Sequence, residues 1–266
     1  MAIAAASYTP SVLHELTSID RERLRPLFAG FRGRLHGCVE AIFTGRFGRA
    51  WADDPAAPTV ALAHIYFWFV AGDPRGAASA QALGMVPSGG TIVTPGGAWD
   101  ELVRQTLGAC VGERTRTGFS NPTNGAWDRH RLRAMSASLP SGYSMRRVTA
   151  GDVESFARME PDFIANFGSR AHYLAEGIGF GVWQGSRCVA GCSSYTLANG
   201  KLEIEIDTDP AFRRRGLARA AAATMILHCL DHRIEPCWDA HNAESAALAV
   251  QLGFRDADAY AVFVVA

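Results

Sequence analysis

The segment that most constrains the fold is KLEIEIDTDPAFRRRGLARAAAATMI, which occupies residues 201–226. Apolar and acidic residues alternate from Leu202 to Asp207 within a predicted strand over residues 201–208, as they do in a β-strand with two different faces. An alanine-rich pattern then predicts a long helix over residues 217–232, and a short loop containing three consecutive arginines joins the two. The segment therefore predicts a strand, a loop and a helix at the centre of an α+β fold.

The surrounding patterns extend this plan to the whole chain of 266 residues. In the second half we predict strands at residues 144–149, 180–184, 188–197, 236–240 and 260–265 and helices at residues 150–160, 163–176 and 245–252. In the first half we predict helices at residues 11–31, 77–83, 97–107 and 127–136 and strands at residues 38–44, 46–52, 60–70, 90–94 and 113–119. The turn-rich sequence SLPSGY at residues 138–143 predicts a boundary between a module of residues 1–140 and a module of residues 141–266.

The arginine loop has the features of an anion site. Arg213, Gly216 and Ala218 follow the spacing R-x-x-G-x-A, and the two small residues allow a ligand to approach the backbone. The first N–H groups of the following helix have no partner within the helix, so they can bind a pyrophosphate together with the arginines. Cations at a helix N-terminus oppose the helix dipole and repel one another, and a bound polyanion would relieve both effects.

This strand, loop and helix resemble motif A of the GCN5-related N-acetyltransferases (GNAT), in which Gln/Arg-x-x-Gly-x-Gly/Ala binds the pyrophosphate of coenzyme A. The sequence HNAESAALAVQLGF at residues 241–254, preceded by the predicted strand PCWDA, resembles the family's second motif. The resemblance covers residues 143–266 and is closest to a subgroup with an extra N-terminal half that includes proteins resembling the zwittermicin resistance acetyltransferase. It implies a GNAT fold with a central mixed, mostly antiparallel sheet flanked by helices.

The first module, by comparison, shows no R-x-x-G-x-G/A spacing. Its strand-rich plan suggests a second α/β module, and a degenerate GNAT-like copy without the pyrophosphate loop is one interpretation of it. We expect this module to shape the acceptor site or an interface.

The resemblance also implies a set of residues that bind acetyl-CoA, the expected co-substrate. Main-chain groups of three residues at the strand end would face the pantetheine arm: Ile206, Asp207 and Thr208. Six residues of the loop and helix start would hold the pyrophosphate: Arg213, Arg214, Arg215, Gly216, Leu217 and Ala218. Asn242 and Ser245 would contact the pantetheine or the phosphates, although Asn242 could equally cap the last helix.

The acid and base of the reaction stay open in the sequence. Glu203 and Glu205 lie on the strand expected beside the thioester, and His241 is a third candidate for the base. Many relatives have a tyrosine directly after the leucine of the second motif, where this chain has Ala249. Tyr260 and Tyr195 are candidate substitutes, and departure of the thiolate without a dedicated acid is the alternative.

The resemblance therefore implies an N-acetyltransferase in which a primary amine, expected on a small molecule, attacks the acetyl thioester directly in a ternary complex. Two alternatives remain: an enzyme that uses a longer acyl-CoA, and a catalytically silent protein that binds CoA or a partner. We expect the protein to be a monomer or a homodimer.

Composition excludes several other functions. The formal net charge is zero, which disfavours a nucleic-acid partner. The single lysine, Lys201, is not followed by Ser or Thr, so there is no Walker A loop. The six cysteines form no CxxC pair, and no apolar run is long enough for a membrane span.

His228 and His232 have metal-ligand spacing, but without an accompanying carboxylate motif we predict no metal. We expect a cytoplasmic protein without a secretory signal or a membrane partner.

Overall fold

The computed structural model describes residues 13–31 and 33–266. The first two positions of the helix predicted over residues 11–31 lie outside the described residues. Among the residues that are described, no helix combines the length and apolar character needed to cross a bilayer.

Strands and helices are interspersed along the described chain. The described strands are β1 (His14–Glu15), β2 (Arg49–Ala52), β3 (Val60–Ile65), β4 (Phe67–Gly72), β5 (Thr91–Val93), β6 (Val111–Ser120), β7 (Ser144–Arg147), β8 (Gly179–Gln184), β9 (Arg187–Ala198), β10 (Lys201–Thr208), β11 (Glu235–Cys237), β12 (Asp239–Ala240) and β13 (Arg255–Val265). The described α-helices are α1 (His36–Phe43), α2 (Ser79–Gly84), α3 (Ala98–Leu107), α4 (Arg129–Ser136), α5 (Val153–Met159), α6 (Arg170–Glu176), α7 (Leu217–Asp231) and α8 (Ala243–Leu252). Short 3-10 helices supplement them, the longest at Asp20–Phe31.

The described chain forms two compact units that do not follow the sequence in halves. Unit 1 contains the described residues up to Gly30 together with Gly48–Arg114 and Ala261–Ala266, and unit 2 contains Phe31–Phe47 and Thr115–Tyr260. The two predicted modules, residues 1–140 and 141–266, stay a prediction about sequence organisation.

Unit 1 contains a sheet with the strand order β1-β2-β3-β4-β5, followed by the C-terminal residues of β13. Its pairs are antiparallel except β4 with β5, which is parallel. The apolar run at residues 60–70, predicted as one strand, is the β3–β4 hairpin, and Tyr66 at its turn has a positive φ of 61°. Leu62, Ile92, Trp99 and Phe263 are fully or almost fully buried in the core of this unit.

Unit 2 contains a five-stranded sheet in the order β11-β10-β9-β8-β7. Only β10 and β11 are parallel, which confirms the predicted mixed, mostly antiparallel sheet. Helix α7 packs against β8, β9 and β10. Four consecutive alanines, Ala220–Ala223, are completely buried on this helix, and such small side chains let a helix axis approach a sheet closely.

Two predicted elements of the first half are wrong. Residues 38–44, predicted as a strand, lie largely in helix α1, because a short buried apolar run has no periodicity that separates helix from strand. The helix predicted over residues 11–31 is in its described part a short strand, β1, followed by a 3-10 helix. Pro26 lies inside that 3-10 helix, and proline lacks the N–H that a regular α-helix would need there.

Helix α1 belongs to unit 2, where it packs against β9, β10 and β11. Its second residue, Gly37, makes the closest approach: its N–H donates to Glu203 Oε2 at 2.8 Å. A Cβ at this position would lie 2.7 Å from the backbone nitrogen of Glu203. Only glycine therefore fits where the start of α1 meets β10.

We expect Gly37→Ala to destabilise the protein, because backbone atoms of β10 cannot move aside for the new methyl group. Overpacking a buried site costs about 1–3 kcal/mol, and the contact with a backbone atom places this site in the upper part of that range. The better helix propensity of alanine offsets only about 1 kcal/mol. Urea denaturation measures the change in unfolding free energy.

Gly151→Ala is the matched control in the same unit. A Cβ at Gly151 meets nothing closer than Thr149 Oγ1 at 3.9 Å, so this variant should unfold like the wild-type protein. Equal midpoints for the two variants would contradict the close packing of α1 on β10.

Candidate active site

Strand β10 changes its neighbours along its length. It pairs with β9 from Lys201 to Thr208, whereas within the described chain its pairing with β11 is limited to Lys201–Glu203. The chain continues instead into β12, which pairs with β6. Among the described residues, no strand therefore pairs with residues 204–208 on that side, and any main-chain group there that has no protein partner needs water or a ligand.

A β-bulge lies at the point where β11 pairing ends. The register between β9 and β10 shifts between Glu203 and Ile204, and Tyr195 is the residue skipped on β9. Bulges bend a strand and redirect its side chains, and they are frequent beside active sites.

After β10 the chain passes through a short 3-10 helix at Pro210–Phe212 to the arginine loop. Arg214 and Gly216 both have positive φ angles, 60° and 79°. Gly216 is the N-cap of α7, and no side chain caps the helix there, in contrast to α8, where Asn242 does so. The first amides of α7 are therefore available to an anion, and the binding of a pyrophosphate there stays a prediction.

The three consecutive arginines have different surroundings. Arg213 donates to the Thr208 carbonyl at 3.0 Å, and Arg215 donates to Tyr143 Oη at 2.7 Å. These hydrogen bonds attach the loop to Tyr143 and to the end of β10. Arg214 is exposed and has no ion-pair partner in the part of the chain that the structure describes, so its charge is available to a ligand.

Arg219 is a residue that the sequence analysis missed. Its Nε is buried and lacks a hydrogen-bond partner among the described residues, and its Nη2 would lie 3.4 Å from a Cβ on Gly216. A buried guanidinium donor without an acceptor is costly, and an anion at the start of α7 would satisfy it. The sequence RRRGLAR could have identified it. Arg219 follows Gly216 by three residues, so it lies in the first turn of the predicted helix.

Leu217 and Ala218 have different roles from the arginines. Leu217 is 2% exposed and its side chain belongs to the core, so only its main-chain N–H can face an anion. Ala218 is partly buried in the first turn. Upstream, Asp207 accepts the N–H of Thr208 at 2.7 Å, and Thr208 Oγ1 is buried without a partner in the described chain.

Glu203 is enclosed by protein. Its side chain is 2% exposed, and its carboxyl group accepts the Gly37 N–H. Burial, and secondarily the negative charge of Asp239, raise the pKa of Glu203 to about 8, against the effect of the Gly37 hydrogen bond. α1 thus separates this candidate base from solvent.

Glu205 is partly exposed two residues further along β10. Burial, followed by the negative charge of Asp162, raises its pKa to about 7, and Glu160 contributes in the same direction. The pKa of Glu160 is itself raised by burial and by the charges of Asp162 and Asp207. These four carboxyl groups give the region beside β10 a negative potential.

Tyr260 lies in a buried polar network. Its hydroxyl donates to Asp239 Oδ2 at 2.7 Å, and Arg116 donates to the other oxygen of Asp239 at 2.6 Å. Burial and the Asp239 carboxylate raise the pKa of Tyr260 well above its ordinary value. Tyr195 is also buried, and burial raises its pKa as well.

The second motif forms the start of α8. Asn242 accepts the Ser245 N–H at 2.8 Å, so the predicted helix cap is present. Ser245 Oγ accepts the Trp238 indole N–H at 3.2 Å, and the Asn242 amide contacts His241 Nε2 at 2.8 Å. His241 as a whole residue is exposed. Partial burial of its ring, followed by the positive charge of Arg116, lowers its pKa.

The residues Ile206–Ala218 thus form one continuous segment, which runs from the end of β10 through the arginine loop to the first turn of α7 and is called the path below. Glu205 lies on β10 directly before this path. Glu203 and Tyr260 instead lie in buried surroundings, and both interact with Asp239. A separate cluster of possible metal ligands, His36, Glu235 and Cys237, was not identified from the sequence.

Comparison with known proteins identifies the family. A sequence model of the GNAT acetyltransferase family matches residues 25–263. The uncharacterized N-acetyltransferase YdfB of Bacillus subtilis (strain 168) is 25% identical over 176 residues, which make up 65% of each chain. The chain thus spans slightly less than two thirds of the length of this curated relative.

Solved structures share the architecture over nearly the whole chain. A GCN5-related N-acetyltransferase-like protein from Streptococcus suis 89/1591 is 27% identical, with a TM-score of 0.80 over 93% of this chain and 98% of the other. A tandem GNAT protein from the clavulanic acid biosynthesis pathway has the same fold, with 12% identity and a TM-score of 0.56 over 95% of this chain and 98% of the other. The family match and the shared fold confirm the predicted resemblance: the chain belongs to the GNAT acetyltransferase family, a family of acyltransferases.

Proposed function

We propose that this protein is an N-acetyltransferase that transfers the acetyl group of acetyl-CoA to a primary amine of a small molecule. The observation that carries the proposal is the continuous path formed by the unpaired side of β10 and the uncapped N-terminus of α7. An elongated ligand could bind to both features. Its pyrophosphate would accept hydrogen bonds from the N-terminus of α7, and an amide-containing arm would hydrogen-bond to the unpaired side of β10.

The residues present fit coenzyme A. The amides of Leu217 and Ala218, with the guanidinium groups of Arg214 and Arg219, would hold the pyrophosphate. Main-chain groups of residues 206–208 would bind the pantetheine arm as a neighbouring strand would. Acetyl-CoA would supply the activated acyl group.

Glu205 is the proposed general base. Its pKa of about 7 lets it accept a proton at neutral pH, whereas α1 covers Glu203. The neighbouring carboxyl groups of Glu160, Asp162 and Asp207 would attract a cationic amine, which must lose a proton before it attacks the thioester carbonyl. The cluster therefore favours an amine acceptor over a neutral alcohol.

Departure of the thiolate does not require a dedicated tyrosine in this proposal. The hydroxyl of Tyr260 already donates to Asp239. A phenol with a strongly raised pKa is also a poor acid for a thiolate. Tyr260 would act by holding Asp239 and Arg116 in place.

Gly216→Glu should abolish CoA binding while the protein remains folded. The substitution places a carboxylate at the start of α7, where it would repel the pyrophosphate and occupy its space. Isothermal titration calorimetry with CoA measures the affinity.

Gly200→Glu is the matched control for backbone strain, because Gly200 has a similar φ of 72° and an added Cβ there meets nothing within 4 Å. Unchanged CoA affinity in Gly216→Glu, or an equal loss in the control, would contradict the proposed pyrophosphate site.

The rate should rise with pH around the pKa of Glu205. A base works only when deprotonated, so kcat/KM should increase about tenfold per pH unit below pH 7 and level off above it. Glu205→Gln should lower kcat/KM by about 10²–10⁴-fold and remove this dependence. Glu203→Gln should retain the pH profile, and a profile that instead disappears in Glu203→Gln would assign the base to Glu203.

An acyl transfer assay tests the substrates. We expect free thiol to appear with acetyl-CoA and members of an amine library that includes aminated antibiotics, and to appear more slowly with longer acyl-CoAs. Faster reaction with a longer acyl-CoA would favour the first alternative. Tight CoA binding without thiol release from any acyl-CoA would favour a catalytically silent protein.

A further inference from the structure

Unit 2 contains a cavity of about 210 Å³ whose lining residues do not include those proposed to bind CoA. Three segments distant in the sequence line it: the start of α1, the end of β6 with the residues that follow, and β11. Phe119 and Trp238 give part of the wall an apolar character, and His36, Asn121, Glu235 and Cys237 supply its polar groups.

Three of these residues place different ligand atoms close together. A ring nitrogen of His36, a carboxylate oxygen of Glu235 and the sulfur of Cys237 all lie within 4.8 Å of one another. Glu235 and Cys237 are two residues apart on β11, so their side chains leave the same face of the strand. His36 is held nearby because the next residue, Gly37, is hydrogen-bonded to β10.

We propose that His36, Glu235 and Cys237 bind a divalent transition-metal ion of the zinc class. One imidazole nitrogen, one thiolate and one carboxylate form a ligand set that zinc accepts, whereas magnesium and calcium prefer oxygen alone. The thiolate and the carboxylate bring two negative charges to a divalent cation, and the carboxylate shares its charge with Lys201.

The distances fit such a site with small side-chain movements. Zinc bonds of about 2.0–2.3 Å in a tetrahedron place neighbouring ligand atoms about 3.3–3.8 Å apart. The observed limit of 4.8 Å therefore requires a contraction of roughly 1–1.5 Å. Rotations about side-chain bonds supply a movement of this size.

Neighbouring groups complete the site. Lys201 forms an ion pair with Oε2 of Glu235, which leaves Oε1 for a metal and holds the carboxylate in orientation. Asn121 lines the same cavity, and its Oδ1 is buried without a hydrogen-bond partner in the described chain. This oxygen can serve as a fourth ligand or accept a hydrogen bond from a water on the metal.

The other candidate pair of histidines has a different arrangement. The rings of His228 and His232 stack with their centroids 4.0 Å apart, and Nδ1 of His232 contacts the backbone carbonyl of His228 at 2.8 Å. Arg147 lies beside Nε2 of His228 at 3.4 Å. The guanidinium can only donate, so it occupies the ring nitrogen of His228 that a metal would need.

A metal at the proposed site would fasten α1 to β11. It would stabilise the closed end of the β10–β11 pair, next to the point where the two strands separate. This role does not depend on acyl transfer, because none of the three ligands belongs to the residues proposed to bind CoA or to act as base.

The test uses the full-length protein after treatment with a chelator, titrated with Co²⁺ and then with Zn²⁺. We expect one Co²⁺ per chain, with a thiolate-to-metal charge-transfer band and visible bands of tetrahedral cobalt that Zn²⁺ removes. Zn²⁺ should also raise the thermal unfolding temperature. Absence of the charge-transfer band and of any thermal shift would overturn the proposal.

Variants locate the ion. Cys237→Ser should remove the charge-transfer band. His36→Gln should weaken Zn²⁺ binding by more than about tenfold, because the loss of a residue that only supports a metal ligand already costs about that much. Cys110→Ser, which changes an exposed thiol, and His232→Gln should leave both measurements unchanged. A band that persists in Cys237→Ser, or is lost in either control, would overturn the assignment.

Discussion

The hydrogen bond from the Gly37 N–H to Glu203 lies at the centre of unit 2. A carboxyl group removed from water needs a donor, and the start of α1 supplies one only because residue 37 has no side chain. The same residue of β10 is the last one paired with β11, and the bulge follows immediately. Up to Glu203, β10 is paired with β11 and covered by α1, and from Ile204 onwards the same side of β10 has no paired strand among the described residues. Both features therefore meet at Glu203.

This arrangement separates two glutamates that the sequence treats alike. Alternation places Glu203 and Glu205 on the same face of β10 and cannot distinguish them. In the structure α1 covers the first, whereas the second lies among the carboxyl groups of Glu160 and Asp162. The difference arises from a segment more than 150 residues earlier in the chain, so no local pattern contains it.

Local sequence patterns were sufficient to predict features formed by residues that are neighbours in the sequence. Strand β10, the arginine loop and α7 are consecutive, and their residue types predict these elements and their order. The same spacing predicted the family, which the comparisons confirm. Prediction was unsuccessful for α1, whose apolar run fits a buried strand equally well. It was also unsuccessful for the cluster of possible metal ligands, since His36 and Cys237 come together only through the tertiary fold.

The membership of residues 31–47 in unit 2 has a consequence for how such a protein can diversify by recombination. An exchange of coding sequence near residue 140 would also exchange α1, which is the partner of Glu203, and two of the three segments that line the cavity. A new N-terminal half would have to provide a glycine at the same place to be tolerated. The two halves of the gene are therefore expected to be inherited together, even though the acyltransferase motifs lie in only one of them.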